Sequence, residues 1–213
     1  MAGMNSVLTK SQQTKLRILT AAFNVASELG LDSLTIGELA KQVGMSKSGL
    51  FAHFQSRENL QVAVIQYAGD VFMQRVIQPV RATTHPSVTD KIHRLLEHWL
   101  VWNPAIQGSC MFLEAWCSAE TAASSSVRSV EVQAALDTLT RQWLEYLRRQ
   151  FVAAVDAGEL AQSIDPWQAV YRIYGAYLSS QFLGSLGLET ERKERFWQEI
   201  ERIFADHKPV LAS

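Results

Sequence analysis

No long uncharged apolar run is present: the best stretch, around Val170 to Leu178, is interrupted by Arg172. Nothing therefore reaches the roughly 20 apolar residues that a membrane-spanning helix needs. The opening residues, MAGMNSVLTKSQQTK, lack the apolar stretch of a secretory signal, so the expected location is the cytoplasm, without membrane partners. Cysteine is scarce. The two that occur, Cys110 and Cys117, would stand two turns apart on one helix, about 10 Å, too far for an intrachain disulfide. Buried reduced thiols are expected rather than a redox pair. Also missing are a glycine-rich phosphate loop, a nucleophile elbow and a clustered Cys/His site. His93 and Glu97 have helical ligand spacing, but two residues make a weak site. No catalytic group, cofactor or metal is therefore expected. Strand-like alternation and internal repeats are absent too, which leaves an all-α architecture.

A hydrophobic share of 47% with 19% charged residues is ordinary for a folded globular chain. Net charge is only −1 overall, which by itself decides nothing about nucleic acid. Its distribution is more informative. Up to Arg57 the cations are Lys10, Lys15, Arg17, Lys41, Lys47 and Arg57, against the anions Glu28, Asp32 and Glu38. Positive charge is thus concentrated locally, as contact with phosphates requires.

Between Ser11 and Gly30 the residues Ile18, Leu19, Ala22, Phe23, Ala26 and Leu29 recur at helical spacing, and Gly30 ends the helix. Thr35 and Glu38 predict a capping box for a short helix through Val43. Gly44 supplies a tight turn, Ser46 caps a third helix to Phe54, and Ser56 caps a fourth with Glu58 in its first turn. Leu60, Val64, Tyr67 and Val71 give that fourth helix its buried stripe, and it is expected to run to Gln78. Linkers are predicted at Pro79–Asp90, Asn103–Ser109, Ala119–Ser129 and Gly158–Pro166. Helices near Lys91–Trp102, Cys110–Ser118, Val130–Ala157, Trp167–Leu186 and Glu191–Ala205 lie between or beyond them. About nine helices result. They divide into a DNA-binding domain at 11–57, a connecting helix at 58–78 and a larger domain at 79–207.

Two short helices joined by a glycine turn, over Thr35–Phe54, form a helix-turn-helix. The first braces the duplex backbone while the second lies in the major groove, where each base pair displays a distinct edge. This segment resembles the tetracycline-repressor (TetR) family in detail from Arg17 to Leu60: Arg17-Ile18-Leu19, Ala21-Ala22, Gly30, Thr35-Ile36, Leu39-Ala40, Gly44-Met45-Ser46, Gly49-Leu50-Phe51, His53-Phe54 and Leu60. Beyond it the likeness is architectural. The resemblance implies a DNA surface of Thr35, Gly37, Ser46, Lys47, Ser48, Gly49, Phe51, His53 and Arg57. Lys47 would meet phosphate or a guanine edge, Ser48 and Gly49 would permit close approach to bases, and His53 and Arg57 would hold the flanking backbone. Position 51 is usually tyrosine in the family; Phe51 has no hydroxyl for phosphate and would pack or touch a thymine methyl. Gly37 weakens the first turn of its helix, and close phosphate approach is one reason for it.

The second half is rich in aromatics. Phe72, Trp99, Trp102, Met111, Phe112, Trp116, Trp143, Tyr146 and Tyr174 are expected to line a pocket for a small apolar or aromatic effector, although core packing explains most of them equally well. Ala176, Ser180 and Gly184 recur every fourth residue and would admit a second helix closely. With Trp197, Ile200 and Phe204 on the last helix, they are assigned to a homodimer interface. The expected activity is that of a transcriptional repressor released from a palindromic operator by its ligand. A helical small-molecule carrier, or a DNA-binding regulator without effector, is the alternative.

Overall fold

The computed structural model describes residues 9–102 and 129–209. Among them every regular element is helical: α1 Lys10–Leu29, α2 Ile36–Gln42, α3 Lys47–Phe54, α4 Arg57–Phe72, α5 Gln78–Arg81, α6 Val88–Val101, α7 Val130–Asp156, α8 Pro166–Ser185 and α9 Glu189–Asp206. The expected helix Cys110–Ser118, the linker Asn103–Ser109 and most of Ala119–Ser129 lie outside the described residues, as do both cysteines. No described helix is long and apolar enough to cross a membrane. The chain divides into two compact units, which are taken in turn.

The first comprises described residues 9–71 and 129–137. Helix α1 begins slightly earlier than its apolar period suggests, because Thr9 and Gln12 form a reciprocal capping box: Thr9 Oγ1 accepts from the Gln12 amide at 3.3 Å and Gln12 Oε1 from the Thr9 amide at 2.8 Å. At α2 the predicted box is half formed. Thr35 Oγ1 accepts from the Glu38 amide at 3.2 Å, while the Glu38 carboxylate turns to Lys41 Nζ at 3.0 Å, since an ammonium is a stronger partner than a neutral amide. Ile18, Ala22, Phe23 and Ala26 of α1 are buried with Leu39, Ala40, Leu50, Phe54, Leu60, Val64 and Ile65. Each large side chain so buried contributes about 1.5–3 kcal/mol, enough to hold helices too short to persist alone.

The second unit comprises described residues 72–102 and 138–209. Its backbone stays helical through Arg81, three residues past the expected end, by way of a π-helical turn at Met73–Ile77. Pro79 supplies the cause. It has no amide to donate to the Arg75 carbonyl four residues back, so the turn widens, and the Gln78 amide bonds Met73 O instead. His98 Nδ1 donates to the stranded Arg75 carbonyl at 2.9 Å. Glu159, on the α7–α8 connection, accepts from the Val88 and Thr89 amides, both at 2.8 Å, placing a carboxylate at the positive end of α6. Ile92, Leu95 and Leu96, Leu147 and Phe151, Ile173, and Phe196, Ile200 and Ile203 form the core.

Candidate nucleic-acid interface

Helix α2 ends in a Schellman motif: the Met45 amide bonds Ala40 O at 2.9 Å and the Gly44 amide bonds Lys41 O at 3.2 Å. Gly44 takes φ +67° at the position where a left-handed residue is required. The chain reverses there, and Ser46 Oγ caps α3 by accepting from the Gly49 amide at 3.1 Å. Leu50 and Phe54 anchor α3 in the core, so Lys47, Ser48, Phe51 and Ala52 are left exposed on its other side. Phe51 is 52% exposed, although nothing about its chemistry favours water. Thr35 and Ser46 are exposed helix caps, and His53 is half-buried, its ring tilted against Phe54.

Three of the residues assigned to DNA have intramolecular tasks. The Arg57 guanidinium donates from Nε to the Leu34 carbonyl at 2.8 Å and from Nη2 to the Asp32 carbonyl, tying the start of α4 to the α1–α2 connection. A group so engaged acts as a brace within the unit. At Gly49 an added Cβ would stand 3.1 Å from Ser46 Oγ, so the bare backbone faces the helix cap. At Gly37 an added Cβ would meet Lys47 Cε at 3.1 Å. The end of the Lys47 side chain lies over bare backbone there.

In the second unit, six of the aromatics expected to surround a ligand do converge. Phe72 lies edge-on to Trp102 at 5.2 Å and to Trp143 at 5.0 Å between ring centroids, and Trp143 reaches Trp99 at 5.6 Å and Tyr146 at 6.2 Å. Trp99 contacts Tyr174 at 5.3 Å and, closer still, Tyr177 at 4.4 Å; Tyr177 was not among the residues assigned to the pocket. Trp143 is 6% exposed, and its Nε1 is a buried donor with no hydrogen-bond partner, an unfavourable state for a polar group. Burial raises the Tyr146 phenol above its ordinary pKa and keeps it protonated. Met111, Phe112 and Trp116 lie outside the described residues. The His93 ring stacks on Trp197 and Phe204, and Nε2 lies 3.4 Å from the Glu201 carboxylate.

The residues assigned to the dimer interface are used largely within one chain. Ser180 Oγ donates to Ala176 O at 2.8 Å and lies 3.2 Å from Arg192 O, and Arg192 covers Gly184, where an added Cβ would come within 2.6 Å of the guanidinium. Ile200 is buried, and Trp197 and Phe204 stack on His93. Small residues thus let α9 approach α8 intramolecularly, and the pair is fastened by Arg172, which bonds Glu199 at 2.8 Å and Asp206 at 3.2 Å. The opposite side of α8 is a stripe that periodicity had not singled out: Trp167, Tyr171, Leu178, Phe182 and Leu186, all exposed, with Tyr171 at 73% and Phe182 at 65%.

A helix-turn-helix with its reading helix exposed, joined to a helical C-terminal half, defines a DNA-binding transcriptional regulator. Residues 18–64 match the bacterial regulatory proteins of the tetR family, and residues 88–200 match the tetracyclin repressor-like C-terminal domain. The chain belongs to the tetR family. It is 32% identical over 77 residues to the HTH-type transcriptional regulator UidR of Escherichia coli K12, a match covering 36% of this chain and 39% of UidR. The curated relatives are thus matched over 39% of their length. A TetR transcriptional regulator from Chloroflexus aurantiacus superposes with TM-score 0.78 at 19% identity, covering 95% of this chain and all (100%) of that one. AibR, solved with isovaleryl coenzyme A and operator DNA, has TM-score 0.55 at 19% identity, with 81% of this chain and 86% of AibR covered.

Proposed function

We propose that this regulator is a homodimeric repressor whose two α3 helices enter the major groove of a palindromic operator, and that a small, largely apolar ligand releases it. The observation that carries the reading is α3 itself: one side locked by Leu50 and Phe54, the other offering Lys47, Ser48, Phe51 and Ala52 to solvent. Lys47 contacts phosphate or a guanine edge, Ser48 and His53 contribute polar contacts, and the caps Thr35 and Ser46 set where each helix begins.

Dimerisation through the exposed α8 stripe fits the physics of the surface, because a contiguous aromatic face of this kind in water is a partner-binding face. Two copies set the readers about one helical turn apart, roughly 34 Å. Ligand binding among Phe72, Trp99, Trp102, Trp143, Tyr146 and Tyr174 is supported by their convergence and by the orphan Trp143 donor, which an acceptor on the ligand would satisfy. AibR, a structural neighbour, was solved with a coenzyme A thioester and operator DNA together. A ligand that favours a different spacing of the readers lowers operator affinity in proportion to its differential binding.

Gel shifts with the purified chain test the reading. DNA from upstream of its own gene should be bound in preference to random DNA, salt-sensitively, and the complex should dissociate with a cognate ligand. Salt-insensitive or sequence-blind binding refutes it, whereas operator binding that no small molecule affects refutes the effector alone.

A further inference from the structure

We infer that Phe51 reads the C5-methyl group of a thymine, making it a specificity-determining residue of the operator contact. The inference rests on the proposal that α3 enters the major groove, and adds what that helix looks for there. Phe51 is half exposed on the outer side of α3 and has no hydrogen-bonding atom. With Ile36, Lys47, Ser48 and Ala52 it borders a shallow surface depression of about 360 Å³. Lys47, Ser48 and His53 of α3 have side chains that can bond phosphates or base edges; a phenyl ring can do neither. Of the groups displayed in the major groove, one is apolar, the methyl of thymine.

The surroundings of the ring favour that partner. Ala52 leaves room beside it, and Ile36 adds an apolar wall from the start of α2. The ammonium of Lys47 marks the polar side of the same depression, its Nζ 3.4 Å from where a Cβ on Gly37 would be. A base approaching the ring thus has a cation beside it for the phosphate backbone. Phe51 packing instead against deoxyribose would confer affinity without sequence preference, and this is the outcome that the experiment separates.

The test begins with selection of preferred duplexes from a random library by the full-length chain. Each thymine of the selected site is then replaced singly by uracil, which removes the methyl and leaves every hydrogen-bonding group in place. Loss of one buried methyl group corresponds to about a fourfold weakening per half-site. The expected result is such a loss at one position of the half-site and at its symmetry mate, with Phe51→Ala, altered in both protomers, weakened about sixteenfold and no longer sensitive to uracil there. Because the uracil scan uses the unaltered protein, it does not depend on how the variant folds. Selected duplexes that tolerate uracil at every position overturn the inference while leaving DNA recognition standing, and so does a Phe51→Ala protein that keeps the sensitivity. Failure to enrich any sequence overturns both.

Discussion

Arg57 and Lys47 are cations of the same small unit, yet Arg57 is bonded to backbone carbonyls while Lys47 is exposed, and replacing each by methionine separates stability from the proposed DNA contact. Arg57 makes two charge-assisted hydrogen bonds to carbonyls at the α1–α2 connection. Bonds of this type contribute about 1.5–3 kcal/mol each, and partial access of water to the freed carbonyls reduces the combined loss to about 2 kcal/mol. Arg57→Met should therefore speed amide hydrogen exchange in α2 and α3 about thirtyfold, since about 1.4 kcal/mol is a factor of ten. The salt dependence of its DNA binding, corrected for unfolded protein, should match the parent. Lys47→Met should do the reverse: exchange rates change little, because an exposed side chain is lost, while the slope of log affinity against log salt falls by about 0.9 for each phosphate no longer neutralised. Exchange measured by mass spectrometry and binding titrated across salt give both numbers. An Arg57→Met protein with unchanged protection and a reduced salt slope would refute the assignment of Arg57 as a brace.

Other outcomes follow from the same geometry. Gly44→Ala forces a left-handed backbone on a residue with a Cβ and should destabilise the first unit by about 1–2 kcal/mol in denaturant titration followed by circular dichroism. Tyr171→Glu combined with Phe182→Glu removes about 3–6 kcal/mol of apolar burial per protomer from the proposed dimer face. Sedimentation should show monomers, with operator affinity lost in parallel; an intact dimer would move the interface elsewhere. The Glu58 carboxyl is held below its ordinary pKa of 4.5 chiefly by a backbone hydrogen bond at the start of α4, with the Ser56 hydroxyl assisting. A group depressed in this way adds stability above pH 4.5 that disappears as pH falls through the lowered value. Melting temperatures of Glu58→Gln should therefore depend less on pH across that range than those of the parent.

Much of this was legible in the residues because the signals were local. Gly44, Ser46 and Ser56 each act within a few positions of themselves, and the turn and caps they predict are present. The bracing role of Arg57 is not legible in the sequence, because its partners, the carbonyls of residues 32 and 34, lie more than 20 positions away and carry no sequence signature, backbone being the same everywhere. The stripe Ala176, Ser180, Gly184 was correctly seen as a place of close helix approach. What spacing does not encode is whether the approaching helix belongs to the same chain, and here α9 fills it. The extension of helix past Pro79 was likewise missed, since proline is both a stop signal and, in a first turn, a compatible residue. His98, which bonds the displaced carbonyl, is remote in sequence.

The bare backbone at Gly37 has a consequence for engineering. Because the end of the Lys47 side chain rests on it, the reach of that ammonium is governed from a neighbouring helix. Grafting a methyl or hydroxymethyl group onto residue 37 would shift the end of that side chain, and with Lys47 in its proposed role it would tune operator affinity while leaving the reading helix untouched.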